Sequence, residues 1–183
     1  MYMLVKEMIK RFIVHAGFKP GIFKQFIYHN PYVQQKNLLP DPKVIFDIGA
    51  YDGRTAKKYN KLFPSAKIFS FEPYHKSIRR YRNNLKRIPQ ATVYEFTVSD
   101  KSDLCILNVN QSHATNSLLK SNNQAIWFSK SMQPKKEVLI NTITLEEFCK
   151  KKNIQQIDIL KIDVQGGELM VLMVQKTYFE IIG

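Results

Sequence analysis

From Lys43 onward, short apolar runs alternate with amphipathic stretches of helical length, and this alternation constrains the fold more than any other feature of the sequence. Parallel strands need a long crossover between them, so strand and helix signals in alternation predict a doubly wound α/β domain with a mostly parallel sheet. The expected strands are residues 44–46, 67–71, 92–98 and 157–162, and the expected helices are residues 55–63, 77–86 and 168–175.

Residues 102–143 depart from this alternation. Residues 104–109 and 138–143 have the composition of strands, whereas the polar stretch 111–134 between them has no strong helix signal. This pattern predicts an inserted hairpin with a long loop. Thr144, followed three residues later by Glu147, matches a capping box and predicts that a helix begins there. A last strand is expected at residues 178–182.

The chain has 183 residues and no linker-like stretch, which predicts one α/β domain at residues 43–183 with an N-terminal helical segment at residues 1–42 packed on it. Apolar side chains in residues 1–15 form one helical stripe, but charged residues interrupt it long before the roughly 20 residues that a membrane-spanning helix needs. We therefore expect no transmembrane segment and a cytoplasmic location. The alternative is that this stripe lies on a membrane or on a partner.

The formal net charge is +13, which favours contact with an anionic partner such as nucleic acid, a phosphorylated metabolite or a membrane surface. The two cysteines, Cys105 and Cys149, belong to no CxxC motif and have no histidine at ligand spacing. Neither a metal site nor a disulfide framework is expected.

The first two expected strands end in residues that suit a nucleotide-type cofactor. Gly49 and Gly53 follow the first strand and allow the backbone to turn tightly and approach a ligand. Glu72 ends the second strand about 20 residues later, near the spacing at which a carboxylate accepts hydrogen bonds from ribose hydroxyls. The predicted cofactor-binding residues here are Asp47, Gly49, Ala50, Tyr51, Asp52, Gly53, Glu72 and Pro73.

The glycine spacing and the local charge distinguish between two cofactors. A dinucleotide site has G-x-G-x-x-G at a helix N-terminus, where the pyrophosphate binds, whereas this loop has Gly-x-x-x-Gly. The carboxylates of Asp47 and Asp52 repel a pyrophosphate but suit the ammonium and sulfonium groups of S-adenosylmethionine. S-adenosylmethionine is therefore the predicted cofactor, with a dinucleotide such as NAD as the alternative.

At this point the sequence resembles the FkbM-type methyltransferases, class I S-adenosylmethionine enzymes that methylate hydroxyl groups on sugars, macrolides and related small molecules. The resemblance extends over residues 43–172 and follows the order of motifs in the family. The matching motifs are VIFDIGA at residues 44–50, FEP at 71–73, VSDK at 98–101, TITLEEFC at 142–149 and IDILKIDVQGGE at 157–168.

The resemblance implies a Rossmann-like fold and assigns residues to parts of the cofactor. It places Asp47 and Gly49 by the amino-acid end of the cofactor, Glu72 at the ribose, and Ser99 with Asp100 near the adenine.

For the transfer step, the resemblance implies that Asp163 faces the methyl group. A base assists when the acceptor is a hydroxyl, and Asp163 is the first candidate because a strand-end carboxylate is held on a rigid element. Glu168 is the second predicted catalytic residue, although it also suits the first turn of a helix. His113, in the polar inserted loop, is a further candidate base that we expect to be a surface residue.

Two departures from the family leave alternatives open. Gln165 stands where the family usually has a glutamate, and the sequence ends at Gly183, before the further strands of the family's sheet, so the domain is expected to be C-terminally truncated relative to the family. An inactive methyltransferase-like binding module is the alternative to an enzyme, with a homodimer formed through an unpaired strand edge.

The expected acceptor is a hydroxyl group on a small molecule, either a sugar or an anionic metabolite. Methylation of RNA is a third alternative, based on the net charge and on basic helices near Tyr74 and Tyr81. It is not favoured, because the sequence contains no recognised RNA-binding module.

Overall fold

The protein is described by a computed structural model covering residues 31–119 and 134–172. Its helices and strands follow the predicted order closely. They are α1 (Pro31–Leu38), β1 (Val44–Ile48), α2 (Arg54–Leu62), β2 (Lys67–Phe71), α3 (His75–Leu85), β3 (Ala91–Tyr94), β4 (Thr97–Val98), β5 (Leu104–Asn110), a 3-10 turn (His113–Thr115), β6 (Pro134–Ile143), α4 (Leu145–Lys152), β7 (Ile159–Ile162) and α5 (Glu168–Leu172).

Four strands form a parallel sheet in the order β3-β2-β1-β7. Side chains alternate across a strand, so Ile45 of β1 packs towards Tyr59 of α2 and Tyr81 of α3, whereas the neighbouring Phe46 packs towards Phe148 of α4. Helices thus cover both faces of the sheet, which explains why the strand sequences are nearly continuous apolar runs. The predicted doubly wound α/β fold is confirmed.

The predicted strand at residues 92–98 is wrong as a single element. Its first half is β3, which pairs with β2, whereas β4 pairs in parallel with β6 in a second sheet of order β4-β6-β5. Both halves have strand-forming composition, so the propensity of the residues does not show where the chain leaves one sheet for the other.

The inserted hairpin is confirmed. β5 and β6 pair antiparallel, with Ile106 opposite Leu139. The connection between them contains the 3-10 turn and a bridge between Asn108 and Ser117, so part of the loop folds back along β5.

Of the two hydrogen bonds in the predicted capping box of α4, the structure confirms the first, whereas the second is replaced by an indirect contact. The side-chain oxygen of Thr144 accepts a hydrogen bond from the backbone N–H of Glu147 at 3.1 Å. The N–H of Thr144 donates to the hydroxyl of Ser102 at 3.1 Å, and that hydroxyl donates to the Glu147 carboxylate. Ser102, at the start of the insertion, therefore completes the capping box and fixes where the helix begins.

The remaining predictions concern the two ends of the chain. Helix α5 begins at Glu168 as predicted, and the structure describes it as far as Leu172. The expected helix at residues 1–15 and strand at residues 178–182 lie outside the described residues, and the domain boundary at residue 42 stays a prediction. Within residues 31–119 and 134–172, no helix is long and apolar enough to cross a membrane.

Candidate active site

A cavity of about 210 Å³ opens where β1, β2 and β7 end and their loops begin. In an open α/β sheet, ligands bind in this crevice because the loops and the free backbone groups meet there. Seven of the predicted site residues line it: Gly49, Ala50, Tyr51, Asp52, Glu72, Pro73 and Asp163.

Gly49 is required by a close approach between two loops. Its φ is +75°, and a Cβ atom at this position would lie 2.0 Å from the carbonyl oxygen of Asp163. The N–H groups of Gly49 and Ala50 both donate to the carbonyl oxygen of Phe71, at 3.0 and 3.1 Å. The first loop is therefore held against the ends of both neighbouring strands, and only glycine fits at its first turn.

At Gly53, glycine is required by the close packing of two helices rather than of two loops. It caps α2 with a φ of +81°, and a Cβ atom there would lie 2.2 Å from the Cδ1 atom of Leu85 in α3. It does not line the cavity. Its place in the fold is a contact between two helices, and a direct role in cofactor binding stays a prediction.

Glu72 is held at the cavity wall by two backbone donors. Its Oε2 accepts from the N–H of Tyr51 and its Oε1 accepts from the N–H of Tyr74, both at 2.9 Å. The side chain is 7% exposed, and this burial raises the pKa of the Glu72 carboxyl to about 7, although the two backbone hydrogen bonds oppose the rise. Glu72 also ties the loop after β1 to the loop after β2.

Asp47 is fully buried beneath the cavity and does not line it. Its Oδ1 lies 2.9 Å from the ammonium of Lys161 on β7, which also donates to the carbonyl oxygens of Gly49 at 2.8 Å and Ile48 at 3.3 Å. Loss of water raises the pKa of the Asp47 carboxyl, and Lys161 opposes this rise. The pair thus supports the first loop from below, and contact between Asp47 and a cofactor stays a prediction.

Asp52 also forms an ion pair, in this case with Arg54. Both of its carboxylate oxygens accept from Nε of Arg54, at 3.0 and 2.9 Å. Asp47 and Asp52 therefore repel an anion less strongly than two unpaired carboxylates would, and charge alone separates the two candidate cofactors less sharply than the sequence predicts.

Asp163 lies at the cavity with its side chain held by a neighbour. The Nε2 atom of Gln165 donates to Oδ1 of Asp163 at 3.0 Å, and Gln165 has a φ of +53°. The hydroxyl of Ser117, in the inserted loop, donates to the carbonyl oxygen of Gln165 at 2.8 Å. The loop after β7 is thereby attached to the insertion, and Gln165 replaces the expected glutamate with a hydrogen-bond donor.

The other predicted residues lie away from the cavity lining. Ser99 is buried and donates to Oδ1 of Asp100 at 3.0 Å, while its N–H donates to Ile143 in the second sheet. Glu168 is in the first turn of α5. The cofactor role of Ser99 and Asp100, and the catalytic role of Glu168, stay predictions.

Sequence reasoning missed Lys161 and, apart from His113, did not identify which residues of the insertion line the cavity. A lysine inside an otherwise apolar strand was the available signal, because a buried charge needs a partner. From the insertion, Leu107, His113 and Leu118 line the cavity. No periodic pattern marks these residues as cavity-lining.

His113 lies in the cavity wall, against the ring of Tyr74 with 4.8 Å between ring centroids. Burial lowers the pKa of the His113 imidazole, and Arg80, Lys76, Lys135 and Lys136 lower it further. Tyr74 and Tyr81 are each 1% exposed, so neither ring can stack on a nucleotide base. The two tyrosines on which the RNA alternative was partly based therefore give it no support.

Fold and site together define an α/β protein with a cavity at the strand ends, where a glycine turn follows the first strand, an acid the second and a carboxylate the fourth. Residues 47–181 match the model of the methyltransferase FkbM domain. The chain belongs to the FkbM methyltransferase family, which confirms the predicted family.

Similar proteins include a curated methyltransferase and two solved structures. The chain is 29% identical to 2-O-methyltransferase NoeI of Sinorhizobium fredii (strain NBRC 101917 / NGR234), with 73% of the chain aligned to 57% of that protein. It is similar to methyltransferase FkbM from Methylobacillus flagellatus KT with a TM-score of 0.44 and 14% identity, covering 72% of this chain and 28% of that one.

A second solved structure, precorrin-6y C5,15-methyltransferase from Geobacter metallireducens GS-15, gives a TM-score of 0.31 at 27% identity, over 35% of this chain and 34% of that one. The chain thus spans a little over half of the curated relative and smaller parts of the two solved structures.

Proposed function

We propose that the chain is a methyltransferase that uses S-adenosylmethionine and methylates a hydroxyl group on a sugar or another small metabolite. The observation that carries the proposal is that Gly49, Glu72 and Asp163 line one cavity at the ends of three adjacent parallel strands. The similarity to NoeI, a 2-O-methyltransferase, supports an oxygen acceptor.

The residues at the cavity fit the cofactor. Each carboxylate oxygen of Glu72 accepts one backbone N–H and retains a lone pair, so ribose hydroxyls can donate to it. Gly49 leaves the backbone of the first loop without a side chain at its turn, which allows a ligand to approach closely. The raised pKa of Glu72 shows that its charge lacks solvation, which donor groups on a ligand would supply.

S-adenosylmethionine, when bound, supplies an electrophilic methyl group whose bond to sulfur breaks as the acceptor oxygen attacks. We assign to Asp163 the uptake of the proton that this hydroxyl loses, because Asp163 lines the cavity directly after the rigid strand β7. Gln165 orients Asp163 by donating to Oδ1. Leu107 and Leu118 of the insertion give part of the cavity wall an apolar surface, which favours the exclusion of water around a bound ligand.

The first test is binding of S-adenosylmethionine to the 183-residue chain by titration calorimetry, with NAD as the control ligand. We expect the methyl donor alone to bind. Glu72→Ala should weaken this binding at least about tenfold, because it removes the carboxylate that accepts hydrogen bonds from the ribose hydroxyls in the proposed complex. Glu95→Ala removes an exposed carboxylate of the same type and should leave the affinity within about twofold.

Methyl transfer is then measured on a panel of monosaccharides. Asp163→Asn should lower kcat about 100-fold, the usual effect of losing a general base, while the affinity for S-adenosylmethionine stays within about threefold. Binding without transfer to any acceptor would favour the inactive binding module. Binding of NAD instead of the methyl donor would overturn the assigned cofactor.

A further inference from the structure

Positive side chains from two separate elements act electrostatically on His113 in the cavity wall. We call Lys76 and Arg80 of α3, with Lys135 and Lys136 of β6, the cationic rim. All four lower the pKa of His113 through their charge. Lys76 and Arg80 are four residues apart, so they lie on the same side of α3.

Contacts at the cavity fix the place of the rim. Nη1 of Arg80 donates to the hydroxyl of Tyr51, a residue of the cavity lining, at 3.0 Å. Nζ of Lys136 lies 5.9 Å from the ring centroid of Tyr74, the ring on which His113 packs. Arg80 and Lys136 of the rim therefore lie beside the wall of the cavity that Glu72 and Asp163 also line.

Bringing four cations together around one imidazole costs electrostatic free energy that a bound anion would recover. Several other cations lie against carboxylates: Arg54 against Asp52, Arg82 against Glu95, and Lys151 against Glu147. Arg80 instead donates a hydrogen bond to a neutral phenol at the cavity. An anionic ligand would complete this arrangement.

We propose that the methyl acceptor carries an anionic group, a phosphate, sulfate or carboxylate, and that this group binds at the cationic rim while the hydroxyl to be methylated reaches Asp163. The inference rests on the proposed function and names the class of its acceptor. A small molecule is favoured over RNA because Arg80 and Lys136 lie beside one cavity and the nearby rings of Tyr74 and Tyr81 are buried.

The binding test uses inorganic phosphate and needs no methyl transfer. Phosphate is titrated into the chain while the ring signals of His113, assigned with His113→Gln, are followed by NMR. We compare the rim variant Lys76→Gln, Lys135→Gln with the control Arg79→Gln, Lys86→Gln. The control removes the same charge from exposed positions of α3 and its end that do not act on His113.

We expect saturable binding to the wild-type chain and to the control, and a dissociation constant at least about tenfold higher in the rim variant. Absence of saturation up to about 50 mM phosphate, or equal weakening in both variants, would overturn the proposal. Binding of S-adenosylmethionine, measured in parallel, tests the proposed function separately, since neither Lys76 nor Lys135 lines the cavity.

Acceptor preference is tested with glucose, glucose 6-phosphate and glucuronate, which separate a phosphate from a carboxylate. We expect kcat/KM to be at least about tenfold higher for one of the anionic acceptors and this preference to disappear in the rim variant. Equal use of glucose would contradict the inference and leave the proposed function intact. An RNA oligonucleotide that binds about 100-fold more tightly than phosphate, with steep salt dependence, would replace the small-molecule acceptor with nucleic acid.

Discussion

At the residue scale, Glu72 combines burial with an ionisable carboxyl group at the cavity. Two backbone hydrogen bonds favour its ionised form, but the loss of water outweighs them and leaves its pKa near 7. The sequence predicts an acid at this position from spacing alone. It does not predict the raised pKa, because that depends on how many atoms of other elements surround the carboxyl.

The raised pKa of Glu72 predicts a pH dependence of stability. Between its ordinary pKa of 4.5 and about 7, the folded chain holds a proton on Glu72 that the unfolded chain has lost. The contribution of this proton to the stability of the folded chain is therefore complete below pH 4.5, falls as the pH rises, and is lost above pH 7. From pH 5 to pH 8, the free energy of unfolding should fall by about 2–3 kcal/mol for this group alone.

The measurement is urea unfolding at several pH values for the wild-type chain and for Glu72→Gln. Other titrating groups contribute similarly to both, so the difference between the two chains isolates Glu72. That difference should change by the predicted amount between pH 5 and pH 8. A difference that is constant with pH would show that the pKa of Glu72 is not raised.

At the element scale, the pair of Asp47 and Lys161 joins β1 to β7 below the cavity. Removal of one partner leaves a buried charge without compensation, which usually costs about 3–5 kcal/mol. We expect Asp47→Asn and Lys161→Met each to lose stability of this order. The double variant should be more stable than the sum of the single effects predicts, by about 1–3 kcal/mol.

Urea unfolding at pH 7 completes this double-mutant cycle. The control cycle uses Arg82→Met and Glu95→Gln, an ion pair whose side chains are 59% and 55% exposed and which should couple by less than about 1 kcal/mol. Additive effects at Asp47 and Lys161 would show that the two charges do not stabilise each other. Loss of cofactor affinity with unchanged stability would instead support direct contact between Asp47 and the cofactor.

At the scale of the whole molecule, Phe148 connects the helix that follows the insertion to the parallel sheet. Its ring lies edge-on to Phe71 at 4.8 Å, Tyr94 at 4.9 Å and Phe46 at 5.6 Å between centroids. Phe148 is 2% exposed. This aromatic cluster buries one face of the sheet and fixes the position of α4 after the insertion.

Phe148→Ala should lower the free energy of unfolding by about 3–5 kcal/mol, because it removes a large buried ring and leaves a cavity. Phe148→Leu keeps most of the volume and should cost less than half as much. Leu169→Ala, at a side chain that is 63% exposed, serves as the surface control and should stay within about 0.5 kcal/mol. Chemical denaturation measures all three, and an effect of Phe148→Ala as small as the control would contradict this role of the ring.

The sequence by itself determined the order of strands and helices, the hairpin insertion, the cap at Thr144, and the glycine turn with its acid at the next strand. These features depend on the spacing of apolar residues and on the backbone requirements of a few neighbouring positions, which a sequence shows directly.

Only the tertiary structure decided that residues 92–98 divide between two sheets, that Lys161 neutralises Asp47, and that His113 lies in the cavity wall. Sheet partners, the buried ion pair and the cavity wall each join residues far apart in the chain. The partner is selected by packing and by loss of water in the folded state, and local sequence patterns contain neither.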